Sequence, residues 1–377
     1  MMSISSISTS PGAAARNSDS DWQYSEQIYA RNPLQMSNHI INFDIHCTES
    51  IILTNCYVGA KHTDPEADEA VYSYRGLVVM NDCTIKGVVN APSGHIKAKD
   101  CLIIGKVTGS IFPITLTTTE IRSRDYIKTE ITPRSGFDAW IDSIKDSDDA
   151  IYQFNIADID YYNSLMDPED DKNVDSLTHF AILADDDDVE CHDRCKIYGD
   201  IINNRYCIDD DGREIKVYKS LVAGSILNNG GNTLLEQSSA KAVYSQEGLT
   251  EINNSTVDFI YAKDSNTLIH NHSVIRQGAI LGGRNNEILS STLNGAVKLR
   301  GHTLIMKENT VVDEICLPPP GETKGDFIPC ITLESGSVLK ALETHGQPCC
   351  IRIGEGATFT LLINPEIIPG NVEIIYL

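Results

Sequence analysis

Four stretches, "STVDFI" from Ser255, "SVIRQGAI" from Ser273, "STLNGAV" from Ser291 and "NTVVDEI" from Asn309, begin eighteen residues apart. Across the last two, Leu293, Leu299, Ile305, Val311 and Leu317 recur at every sixth position. A helix repeats at about 3.6 residues and a flat strand at about 2, so a six-residue period belongs to a chain that turns a corner after each short strand. Three such sides close one coil of eighteen residues, and repetition at that length marks a solenoid.

The frame extends both ways. Lys219 and Gln237 open two further rows, whose third column runs Leu221, Ser239, Val257, Ile275, Leu293, Val311. "DCTIKGVV" from Asp82 and "DCLIIGKV" from Asp100 are again eighteen apart, with a looser copy, "NCYVGA", at Asn55. Beyond Leu317 the period lengthens to twenty, with Gly336 and Gly356 in register. The spacing predicts an all-β chain, a parallel β-helix of about 18 residues per coil, with each strand stacked about 4.8 Å from its equivalent in the preceding coil. Apolar columns fill its core, and Ser, Thr, Asn and Gly serve the corners. Its hand stays open: crossovers between parallel strands are right-handed as a rule, while uninterrupted hexads suit a left-handed helix.

Four regions follow. Residues 1–40 read as a disordered Ser-rich tail with a cap, in which Trp22, Tyr24 and Tyr29 close the first coil. Residues 41–135 are N-terminal coils, 136–200 an acidic insertion, and 201–377 C-terminal coils with a cap. The insertion holds 19 acidic residues against 4 basic ones, a net −15 out of −23 for the chain. Its apolar Trp140, Ile141, Ile144, Ile151 and Phe154 are spaced for one or two helices, so the insertion is expected to be partly helical.

No apolar run is long enough to cross a bilayer, so the chain is expected to be soluble and without a membrane partner. The N-terminus lacks the basic and apolar regions of a secretory signal, and an odd count of eleven cysteines fits reduced thiols in a cytoplasm. The acidic balance disfavours nucleic acid, whose phosphates need a basic footprint. A basic protein partner for the insertion is expected instead.

Motifs that announce a reaction are absent: no P-loop, no G-x-S-x-G elbow, no H-E-x-x-H. No cofactor is expected. Cys191, His192, Cys195 and Cys207 are the most that can be assembled as Zn²⁺ ligands, and no second pair at structural-zinc spacing follows them. Cys83 and Cys101, equivalent in successive coils, are expected to stack in or beside the core. In the eighteen-residue frame Asp264 and Arg300 share one column, and Asn266, Arg284 and His302 another two residues away. Two positions apart on a strand means one face, so these five form one surface patch. It suits an anion or a sugar, with Asp264 as base and the arginines neutralising charge. The catalytic residues, if the chain has them, stay unassigned.

The units "CTIKGVV", "CLIIGKVTGSI" and "STLNGAVKL" resemble those of bactofilin-type polymerising β-helices, which implies end-to-end assembly, here through the apolar C-terminal "NVEIIYL". The hexads are similar to those of hexapeptide acyltransferases, which implies a trimer with a catalytic histidine, for which His302 or His270 stands nearest. Polysaccharide lyases and glycosidases share the β-helix, with stacked Asp, Arg and Lys in a lateral groove. The Ser/Ile-rich N-terminus resembles the export signals of type III effectors, which implies delivery by a non-Sec route into a host cytosol. The functional expectation is a β-solenoid scaffold or protein-interaction module, with a carbohydrate-active or acyl-transferring enzyme and a cytoskeletal polymer as alternatives.

Overall fold

The computed structural model describes residues 7–8, 15–16, 22–24, 27–65, 67–123, 180–184, 187–203, 214–319, 327–363 and 372–377. Among them there is no helix, and therefore none long and apolar enough to cross a membrane. The strands stack in parallel ladders, and the fold is an all-β parallel β-helix. It divides into two compact units: residues 1–205 with 216–224, and 206–215 with 225–377.

In the first unit each full coil contributes three short strands. One coil supplies Ile96–Lys99, Leu102–Ile104 and Val107–Gly109. The next supplies Ile114–Thr117, Glu120–Arg122 and Phe180–Ala184, with Ile96 opposite Ile114, Ile103 opposite Ile121 and Val107 opposite Ile182. Alternate residues point inward, so Ile51, Val78, Ile96, Ile114 and Val189 form one fully buried column and Leu53, Met80, Ala98 and Leu116 another. β-Branched residues dominate because they pack well on a pleated surface.

Two sequence boundaries look different here. The ladder already includes Leu34–Ser37, upstream of residue 41, and Ile7–Ser8 and Ala15–Arg16 pair antiparallel with later N-terminal strands. Within the stretch read as insertion, Phe180–Ala184, Val189–His192 and Lys196–Tyr198 are in-register coil strands. The helices expected around Trp140 to Phe154 lie outside the described residues.

The second unit has longer sides. Asn232–Glu236, Leu249–Asn253, Asn266–His270, Asn285–Leu289 and Thr303–Lys307 form one ladder. Ser239–Ser245, Thr256–Ala262, Thr292–Leu299 and Val311–Cys316 belong to the other, interrupted in one coil between Val274–Ile275 and Ala279–Leu281. The third column is Ala240, Val257, Ile275, Leu293, Val312 and Leu339. It slips by one residue from the Ser239 and Val311 of a strict eighteen-residue frame, because successive coils measure 17, 18, 18 and 19 residues. The strict hexad fails for the same reason: Leu293, Leu299 and Leu317 are buried, but Ile305 and Val311 turn outward while Leu304, Met306 and Val312 enter the core. The twenty-residue spacing holds, with Ile331 opposite Ile351.

One corner explains the recurrent Ser, Thr and Cys. Asp82, Asp100, Gln237, Asn254 and Ser290 all have φ near +50°, the left-handed region that turns the chain sharply. The residue after each is buried: Cys83, Cys101, Ser238, Ser255, Ser291. In the second unit these hydroxyls form a ladder. Ser238 N donates to Ser255 Oγ at 3.0 Å, Ser255 N to Ser273 Oγ at 3.2 Å, and Ser273 N to Ser291 Oγ at 3.2 Å. Each of Ser255, Ser273 and Ser291 gives its own hydrogen to a nearby carbonyl, so a buried polar corner is fully satisfied. In the first unit thiols stand in the same place. Cys83 and Cys101 are 2% and 4% exposed, as their equivalent spacing predicts.

Candidate functional site

The five patch residues sit on corners of the second unit. Ala262, Leu281 and Leu299 are opposite one another in successive coils, which stacks the next residues, Lys263, Gly282 and Arg300. Asn285 is opposite Thr303, which puts Arg284 level with His302. The backbone fixes these corners: Asp264 N donates to Gln246 O at 2.8 Å, Gly282 N to Ala262 O at 2.7 Å, and Arg300 N to Leu281 O at 2.8 Å.

Together the corners enclose a cavity of about 440 Å³. Four of the five patch residues, Asp264, Arg284, Arg300 and His302, line it. The fifth does not: the side-chain oxygen of Asn266 accepts the backbone N–H of Asn285 at 3.0 Å and so braces the next coil. Three wall residues lie outside the sequence-derived patch. Lys263 escaped because the coil before it is 17 residues long, which shifts the frame by one. Tyr261 is 6% exposed and falls in a strand whose buried run shows no alternation. Phe327 comes from the corner between Val311–Cys316 and Cys330–Leu333, where the repeat offers no register. Its ring stacks on His302 with centroids 3.9 Å apart and planes inclined by 17°.

Glycine forms the bare part of the wall. A Cβ on Gly282 would stand 1.8 Å from Lys263 O, and one on Gly301 would stand 1.9 Å from Gly283 O. The "GAILGGR" run is thus explained by the close stacking of corners, which leaves main chain uncovered beside the cations. Arg284 and Arg300 are exposed, and neither has an ion-pair partner among the described residues. The lining carries three side-chain cations against one carboxylate. His270 is engaged elsewhere, its Nε2 2.9 Å from Glu251 Oε1.

The structure does not bring the zinc candidates together. Cys191 is fully buried, whereas His192, next to it on the strand, lies on the opposite face, 3.5 Å from Glu190. Cys195 is buried too, its thiol donating to His192 O at 3.2 Å, and Cys207 lies outside the described residues. Glu314, Cys316 and Glu343 do converge, with ligand atoms within 4.8 Å of one another. Burial and the two flanking carboxylates push the Cys316 thiol up to about 12, so it is held protonated at neutral pH.

Comparison with protein-family models, with curated proteins and with solved structures finds no match. The likeness to bactofilins and hexapeptide acyltransferases therefore rests on the repeat units alone.

Proposed function

We propose that this protein is a β-solenoid scaffold that carries recognition segments on its corners, the acidic insertion being the segment that meets a basic protein partner. The observation that supports this reading is the continuity of the coil across residues 124–179. Val107, Thr108 and Gly109 pair with Ile182, Leu183 and Ala184, as though the intervening chain were not there. A ladder that tolerates 56 added residues at one corner uses that corner for something other than folding. Those residues hold 14 acidic against 5 basic side chains, a field that attracts basic surfaces.

The test is fluorescence anisotropy with a labelled Lys/Arg-rich peptide, on the whole chain and on a chain lacking residues 124–179. The scaffold reading expects salt-sensitive binding that disappears on excision while the solenoid still unfolds cooperatively. Equal binding by the excised chain would refute it. A cytosolic setting and non-Sec delivery both fit a scaffold, and cell fractionation separates them.

A second reading, an enzyme acting on a carbohydrate or transferring an acyl group, is favoured by the cavity that sets Asp264 and His302 beside three cations. It requires a glycan or acyl substrate whose turnover falls on Arg300→Ala and His302→Ala. Self-association through the C-terminal strand Val372–Tyr376, the polymer alternative, requires mass that grows with concentration in light scattering.

A further inference from the structure

We infer that the corner cavity of the second unit is a binding site for a small ring-bearing organic anion, its carboxylate or phosphate held by Arg284 and Arg300 and its ring laid against the aromatic wall formed by His302 and Phe327. This inference is independent of what the insertion recognises. It begins with charge. The chain as a whole carries −23, yet Lys263, Arg284 and Arg300 face this one cavity with only Asp264 opposing them. Like charges gathered at stacked corners repel one another, and an anion between them removes that cost. A guanidinium presents a planar fork of donors that matches the two oxygens of a carboxylate or phosphate. The forks of Arg284 and Arg300 are not engaged by a carboxylate among the described residues.

The rest of the wall selects more than charge. The His302–Phe327 stack is a preformed flat surface, since each ring holds the other in place at 3.9 Å. Such a surface takes the face of a planar or sugar ring. Asp264 provides an acceptor for a ring hydroxyl. Gly282 and Gly301 cannot be replaced by a residue with a side chain without a clash against backbone, so the ligand meets main chain there. At about 440 Å³ the cavity has the size of a small-molecule site and not of a polymer groove. The surrounding negative charge also works against a long polyanion.

Titration calorimetry on the full chain decides the matter with four probes: a uronic acid trisaccharide, a hexose phosphate, a neutral trisaccharide and inorganic phosphate. The inference expects one of the two ring-bearing anions to bind at least tenfold more tightly than either the neutral sugar or inorganic phosphate. Which of them binds tells carboxylate from phosphate ester. Arg284→Gln with Arg300→Gln should abolish that binding while leaving the melting temperature in place, because both side chains are exposed. Phe327→Ala should weaken the ring-bearing anion at least fivefold and leave inorganic phosphate unchanged. Equal binding of the neutral sugar, inorganic phosphate matching the ring-bearing anions, or full binding by the double variant would each overturn the inference.

Discussion

The guanidinium of Arg276 lies 3.4 Å from the carboxylate of Asp258, whose side chain is 3% exposed. Burial raises the Asp258 acid above its usual range, and Arg276, itself 39% exposed, offsets this only in part. The second carboxylate oxygen, Oδ2, has no hydrogen-bond partner.

This pair makes stability depend on pH. A carboxyl group with a raised folded-state pKa stabilises the fold at low pH, where it is protonated, and loses that contribution as pH rises through the folded pKa. Asp258→Asn should therefore raise the melting temperature at pH 7, and the difference from the parent chain should vanish near pH 4. Arg276→Ala should cost about 1–3 kcal/mol at pH 7 by stranding the charge, and adding Asp258→Asn should recover most of it. Thermal melts across pH 4–8 test both; an Asp258→Asn chain less stable at pH 7 would refute the account.

The corner hydroxyl ladder gives a second expectation. Ser273 Oγ accepts from Ser255 N and donates to His270 O at 2.6 Å. Ser273→Ala leaves a buried N–H without an acceptor and should destabilise by about 1–3 kcal/mol in urea unfolding. Ser273→Thr should cost less, since Thr310 occupies the equivalent corner and donates to Ile288 O at 3.0 Å.

Excision of residues 124–179 should keep the fold. It leaves Ile182 nineteen residues after Val107, a coil length the second unit already uses between Leu293 and Val312. Removing a long loop changes closure entropy only slowly with length, so the change in unfolding free energy should stay within about 2 kcal/mol. Loss of the cooperative transition would mean that the segment belongs to the core.

The cysteines should divide by position. Cys191 is fully buried and its thiol is pushed far up by burial, and the thiol of Cys101 and burial together hold Cys83 at about 11. Neither should react with iodoacetamide at pH 8 in the native state, because the thiolate is the nucleophile. Cys350, on an outward face, should be modified well before them. Mass spectrometry of the alkylated chain reads this directly, and early labelling of Cys83 would contradict the buried corner.

The sequence alone determined the repeating unit, because a coil must place an apolar side chain inward and a sharp corner outward at nearly constant intervals. Cys83 and Cys101, Gly336 and Gly356, and the Val257–Ile275–Leu293 column were all readable on that ground, as was most of the cationic patch. Only the tertiary structure decided where the interval changes. Hydrogen bonding between neighbouring strands tolerates coils of 17 or 19 residues, so Ile305 and Val311 face outward and Lys263 enters the cavity against the strict count. Phe327 was beyond reach for a different reason. Its place beside His302 is set by a long corner with no repeat to carry a register, and contact across such a corner exists only once the coils on either side of it have stacked.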